Sequence, residues 1–283
     1  MSTPQAWTLR AFCAVLLVFV ASTARHPAAW RIAMASGAIL AMTPWLISRR
    51  LTWWILAASV SAAILLSPLS AANHHYLLFY LTAAIALTWS DDQEQWSTDL
   101  GRASRGLMVG VMGIATLQKL LSPDFMDGSF LTFLLLDGGL GEVFWQRIPA
   151  LEAAISSAQD LFTRFADPID PRRATARAAP ARLMVMGTFG VMLTWLVVLG
   201  EGVIALLFGL GARFKKADIA AHVALLCFGA GLLFMRAEHV FLTTLLWSGA
   251  AMCLGRETPT LLWKVYVGLG SIAALVALAR VIL

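Results

Sequence analysis

Charge is scarce in this chain. Asp, Glu, Lys and Arg make up 13% of its 283 residues, about half the share found in an ordinary soluble domain. Cysteine is scarcer still, and Cys13, Cys227 and Cys253 lie far apart in hydrophobic runs. With no C-x-x-C and no ligand spacing, neither a disulfide scaffold nor a thiolate metal centre is expected. The chain has no Ser-His-Asp order, no phosphate-cradling glycine loop and no H-E-x-x-H helix, which argues against three conventional enzyme classes. No basic patch interleaves with aromatics, so the net charge of +5 does not point to nucleic acid. It sits mostly in short connecting segments, as loop arginines do in membrane proteins.

What remains is apolar. Hydrophobic residues make up 59% of the chain and the mean hydropathy is +0.77, more apolar surface than a soluble fold can hide. The runs fall at about 8–24, 31–48, 51–70, 74–90, 105–121, 182–211, 217–235, 239–255 and 260–282. Most approach the roughly 20 helical residues that span a hydrocarbon core. In lipid, every backbone group must be bonded within its own segment, so these runs predict helices and not strands. The expected fold is all-α, a polytopic transmembrane bundle of about eight or nine helices with the lipid bilayer as its main partner. The run Ala11–Ala24 follows Arg10 and imitates a secretory signal. Because it merges into the polytopic pattern it reads as the first span, a cleaved signal being the alternative.

The connections divide the chain. Arg49-Arg50 leaves almost no loop and predicts an antiparallel hairpin of the second and third spans. Ser90 and Asp91, followed by Gln93 and Glu94, predict a capped short surface helix ahead of the fifth span. The stretch 122–165 mixes apolar residues with acids and glycines, and 129–136 is too short to span, so a re-entrant or interfacial element is expected. A loop at 167–182, rich in proline and carrying Arg172, Arg173, Arg177 and Arg182, follows. The expectation is one transmembrane domain over 1–283, with helices at 8–121, an interfacial region at 122–181 and helices at 182–283. Arg49, Arg50, Arg102 and Arg105 on one side against Arg25 and Arg31 on the other favour a cytoplasmic N-terminus.

Ionisable side chains at bilayer depth cost several kcal/mol and are functional candidates by default. Lys119 ends the fifth span after some fourteen uncharged residues; it either snorkels to the interface or points inward. Glu201, between Gly200 and Gly202 in the middle of a long apolar run, must be neutral, paired with a cation, hydrogen-bonded or facing a polar cavity. His222 lies one turn inside the next span and is expected to meet Glu201 across the 209–217 hairpin, as a structural hydrogen bond or a proton relay. His74 and His75 open the fourth span, with Asn73 as its expected cap. Glu238 and His239 occupy a turn, where they are either wet or, for the acid, paired with Arg236.

Two segments carry a resemblance. NHHYLLFYLTAAIAL is similar to the asparagine-histidine-tyrosine-leucine helix start of the vitamin K-dependent gamma-carboxylase, and IATLQKLLSPDFMDGSFL resembles a helix end in that family. There a lysine precedes an aspartate, an aromatic and an acid-glycine pair. The broader group is the bacterial horizontally transferred transmembrane (HTTM) domain family. Glu201, a basic turn and then His222 also look like an acid-and-histidine helix pair common there and in DoxX-like quinone-associated proteins. The likeness covers roughly 8–255 and is specific at 73–77 and 115–131. This chain has Gln118-Lys119 where the carboxylase has two adjacent lysines.

By resemblance, the chain is expected to be a multi-pass bacterial inner-membrane protein with a quinone- or lipid-sized cavity and a vitamin K-like quinol as cofactor. Lys119 is the implied base. His74 and His75 help bind or polarise the ligand oxygen, Glu201 and His222 handle protons, and Asn73, Tyr76, Asp124 and Asp127 contribute to the cofactor site. No metal is expected. The alternative is a non-catalytic structural or assembly subunit of a larger membrane complex, for which eleven tryptophans and small-residue stretches suit packing and interface anchoring. A transporter is the weakest option, since no inverted repeat or pair of broken helices is visible.

Overall fold

The structure, a computed structural model, describes residues 49–66, 73–136, 153, 155–156, 180–232, 239–254 and 260–282. At 73–74, 135–136, 180–186, 239–240, 260 and 277–282 it describes the helix path and not the side chains. The expected first two spans, the loop at 167–179 and Glu238 lie outside the described residues.

Among the described residues the elements named below are all helices. They are α1 (Arg50–Leu66), α2 (Asn73–Thr88), α3 (Gln93–Leu121), α4 (Pro123–Met126), α5 (Ser129–Leu136), α6 (Pro180–Gly211), α7 (Lys215–Leu232), α8 (His239–Met252) and α9 (Thr260–Ile282). The all-helical class expected from the apolar runs is what the chain adopts there. One helix segment, Gly187–Gly211, is long and apolar enough to cross a membrane by length and composition; Arg50–Leu66, His75–Thr88, Phe241–Met252 and Leu261–Val276 are apolar and shorter.

α1 and α2 pack as a hairpin, and the Arg50 Nε donates to the Ala86 carbonyl at 2.9 Å, tying the start of one to the end of the other. α2 turns Leu77, Leu78, Leu81 and Ile85 to one buried stripe, the i, i+4, i+8 spacing of a packed helix face. α3 then runs antiparallel across the bundle. The surface helix expected ahead of the fifth span is not separate from it, because 93–121 is a single helix of 29 residues. Its cap is Asp92, two residues after Ser90 and one after Asp91, accepting from the Glu94 and Gln95 amides. No breaker interrupts the run: the glycine at 101 lies where α8 crosses, and a Cβ there would stand 2.9 Å from the Leu254 carbonyl. Trp96, Leu100, Met108 and Met112 form the buried stripe of α3, while Glu94, Gln95 and Arg102 mark its wet face.

α6 packs antiparallel along α3. Glycines and small residues bring the backbones together: the open side of Gly202 faces Thr116, that of Gly113 faces Ala205 and that of Gly211 faces Arg105. The helix begins at Pro180, inside what the composition suggested was still loop; proline in a first turn costs nothing, since its missing N–H has no helical partner there.

Within the stretch expected to be re-entrant or interfacial, 123–136 forms two short helices. Ser122 ends α3 with its amide on the Lys119 carbonyl at 3.2 Å, and Pro123 starts α4. Gly128 takes φ 79°, a left-handed conformation that glycine adopts without strain, and turns the chain into α5. α5 lies on α6, and the two backbones nearly touch: a Cβ on Gly190 would meet Gly128 O at 2.6 Å and Thr132 Oγ1 at 2.1 Å. Thr194 Oγ1 donates to the Phe125 carbonyl at 3.0 Å and pins α4 to α6. α8 and α9 pack as a hairpin, and α8 also touches α2, α3 and α7, so helices from before and after the 122–181 region share one core.

The glycine contacts give a test. Gly249→Ala should put a methyl 2.3 Å from the Tyr266 ring and lower stability in detergent by about 1–3 kcal/mol through overpacking. Gly209→Ala, with nothing within 4 Å, should leave the melting temperature unchanged or raise it. Equal melting behaviour of the two variants would contradict the packing described.

Candidate functional site

α3 and α6 cross with a cation on one and a carboxylate on the other. Lys119, in the last turn of α3, extends sideways onto α6, where its Nζ lies 2.7 Å from Glu201 Oε1 and 2.6 Å from Oε2. Glu201 is 3% exposed, and the lysine side chain keeps 18% of its surface. Of the two fates open to Lys119 from its position, pointing inward is the one realised. Both carboxylate oxygens face one ammonium, a charge-assisted geometry that offsets the cost of bringing two ions out of water.

The surroundings are apolar and aromatic. Nζ also stands 5.5 Å from the centroid of the Phe125 ring, within cation–π range, and Phe125 stacks on Phe130 at 5.5 Å. The glycines at 200 and 202 leave the carboxylate's flanks to Phe228 and Thr116. Asp124 and Asp127, placed by resemblance in a cofactor site, lie exposed just beyond the end of α3. Hydrogen bonding from Ser129, by its side chain and then its amide, holds the Asp127 carboxyl below its usual range, so it is ionised and marks a wet boundary about two turns from Lys119.

A second ionic cluster lies further along the same helix pair. Arg105 is fourteen residues before Lys119, about 21 Å along α3 and within about 40° of the same face. Its Nη2 pairs with Asp218 of α7, its Nη1 reaches the Phe208 carbonyl at 3.4 Å, and its guanidinium covers the Phe208 ring. Asp218 and His222 are one turn apart, with Nε2 3.9 Å from Oδ1. On the other side of the imidazole, Nδ1 lies 2.9 Å from the Tyr266 hydroxyl of α9, which is also 3.3 Å from the His222 carbonyl. The Tyr266 hydroxyl donates to that carbonyl, and which group donates between it and Nδ1 follows the imidazole tautomer.

The hairpin of α6 and α7 forms as expected, but Glu201 and His222 have different principal partners. Glu201 goes to Lys119 on α3 and His222 to Tyr266 on α9. The helix wheel explains the split: Phe208, seven residues on from Glu201, occupies the place against His222, with ring centroids 5.1 Å apart. His75 is buried at 1% exposure in the first turn of α2. Tyr76 is 38% exposed. Asn73, His74 and His239 begin their helices with side chains outside the described set. Sequence reasoning missed Arg105, Asp218 and Tyr266 as site residues. The available signal was Asp218-x-x-x-His222, an i, i+4 acid and imidazole in the first turns of an apolar helix.

Removing one partner of the Lys119–Glu201 pair strands the other. Lys119→Met and Glu201→Met should each cost about 3 kcal/mol in thermal unfolding, while the double variant recovers most of the loss. Additive losses would mean that the two side chains are not coupled.

Comparison of the chain with protein families, with curated proteins and with solved structures finds no match. The likeness to the carboxylase-like membrane core therefore stays with the residues quoted for it, at 73–77 and 115–131.

Proposed function

We propose that this is a multi-pass inner-membrane protein in which Lys119 and Glu201 move a proton on a lipid-sized hydroxyl compound of the quinol class. The observation that carries the reading is the ion pair itself: a lysine amine and a buried carboxylate in mutual contact, at the end of an apolar helix and beside aromatic rings.

The distribution of surface supports the membrane part. Polar and ionic groups such as Glu201, Asp218, His222 and Thr194 are inside, while Leu65, Leu121, Leu196, Leu206 and Leu275 face out. That is the arrangement expected when lipid is the solvent, because hydrocarbon does not penalise exposed leucine and does penalise exposed charge.

The pair is electrically neutral wherever its shared proton sits. With the proton on Glu201, Lys119 is a free amine and takes the proton of an incoming hydroxyl; the oxyanion formed then rests against the new ammonium. An apolar surrounding narrows the gap between the ionic and neutral forms of the pair, so Glu201 gates the basicity that the resemblance assigns to Lys119 alone. The quinol supplies the reducing chemistry when bound.

The second reading is a non-catalytic subunit in which the pair only ties α3 to α6, favoured by the fact that both Glu201 oxygens are already occupied.

Two measurements decide. Alkaline carbonate should leave the protein in the membrane fraction, and its release would end the membrane reading. Solvent extraction of the detergent-purified protein should yield a bound quinone or quinol, lost from the folded Lys119→Met/Glu201→Met double variant. Protein that carries none, or a double variant that keeps it, would favour the structural subunit.

A further inference from the structure

The turn between α6 and α7 belongs to neither ionic cluster. It reads Leu210-Gly211-Ala212-Arg213-Phe214-Lys215-Lys216, and Arg213, Phe214, Lys215 and Lys216 are all exposed. None of the three cations has a described carboxylate within ion-pair range; Asp218, the acid nearest in sequence, is taken by Arg105. Phe214, at 58% exposure, stands among them as an apolar side chain at a charged turn.

Above the turn, α7 presents an outward stripe of Lys216, Ile219, Val223 and Cys227, the i, i+3, i+7, i+11 spacing of one helix face. Ile219 and Val223 are 56% and 55% exposed. A cationic foot below an apolar stripe about 16 Å long has the length and polarity of one bilayer leaflet, half of a hydrocarbon core of about 30 Å. Among the described residues the foot has no internal counter-charge and the stripe has no helix over it.

We propose that this turn is a binding site for anionic phospholipid, with the phosphodiester headgroup against Arg213, Lys215 and Lys216 and an acyl chain along Ile219 and Val223. The inference rests on the membrane reading above, and it commits to a headgroup phosphate carried by a lipid. A basic segment at a membrane surface attracts acidic headgroups by about 1 kcal/mol per cation, so three cations favour an acidic over a zwitterionic lipid by roughly a hundredfold. Phe214 seats the turn at headgroup level, where aromatic side chains settle.

The test titrates the full-length protein, purified in a neutral detergent, with phosphatidylglycerol, with phosphatidylcholine and with inorganic phosphate, following the unfolding midpoint. Phosphatidylglycerol should raise the midpoint at roughly hundredfold lower concentration than phosphatidylcholine, and inorganic phosphate should have no effect. The Arg213→Gln/Lys215→Gln/Lys216→Gln variant should lose this preference and keep the lipid-free midpoint, whereas Arg102→Gln, exposed and elsewhere, should keep it. If the triple variant does not fold, Lys216→Glu alone should reduce the preference at least tenfold. An equal rise with inorganic phosphate would make this a soluble-anion site and overturn the proposal, as would an undiminished preference in the variants. Carbonate resistance of the same protein separates a failed headgroup site from a failed membrane reading.

Discussion

Glu201 sits on a helix with apolar residues on every side, and a carboxylate there persists only if something meets it. Two glycines let neighbours approach, but neither supplies charge. The cation comes from α3, so the register of α3 on α6 is set by one contact: Lys119 must reach Glu201. Once that contact is made, antiparallel geometry carries Arg105 to the other end of α6, beside the Phe208 carbonyl and Asp218. The two ionic contacts define a line, and a one-residue slip of either helix would break both together.

This economy explains why α3 is so long. A separate surface helix and a separate span would each have carried one cation, with a hinge between them. A continuous helix of 29 residues keeps Arg105 and Lys119 on one face at a fixed distance, and buried Trp96, Leu100, Met108 and Met112 hold that face against the core. The polar stretch before Arg105 misled the sequence reading because Glu94, Gln95 and Arg102 lie on the wet side of a helix whose other side is buried. Polarity averaged over a window cannot separate the two faces; periodicity can, and the stripe 96, 100, 104, 108, 112 was present in the residues.

The elements themselves were legible for the same reason that the pairing was not. Apolar runs mark helices because backbone hydrogen bonding in an apolar setting leaves little else, and α1, α2, α6, α7, α8 and α9 fall within a few residues of those runs. Glu201 and Lys119 stood out one at a time, each costly where it was. Which residue would meet which depends on rotation about the helix axis and on the partner helix. The expected partner, His222 across the hairpin, is met instead by Phe208, two turns further along the same face of α6. Tyr266 gave no sign at all, since a tyrosine in an apolar helix reads as an aromatic like any other until an imidazole is found against its hydroxyl.

The two clusters differ in what they can do. A guanidinium has no accessible neutral form, so the Arg105–Asp218 contact braces the packing of α3, α6 and α7. Lysine with glutamate has another option, because moving one proton over a 2.6 Å gap turns two ions into two neutral groups. Of the two pairs on the same face of α3, the lysine pair is the one beside stacked aromatic rings. The proposed proton transfer rests on that contrast between guanidinium and amine.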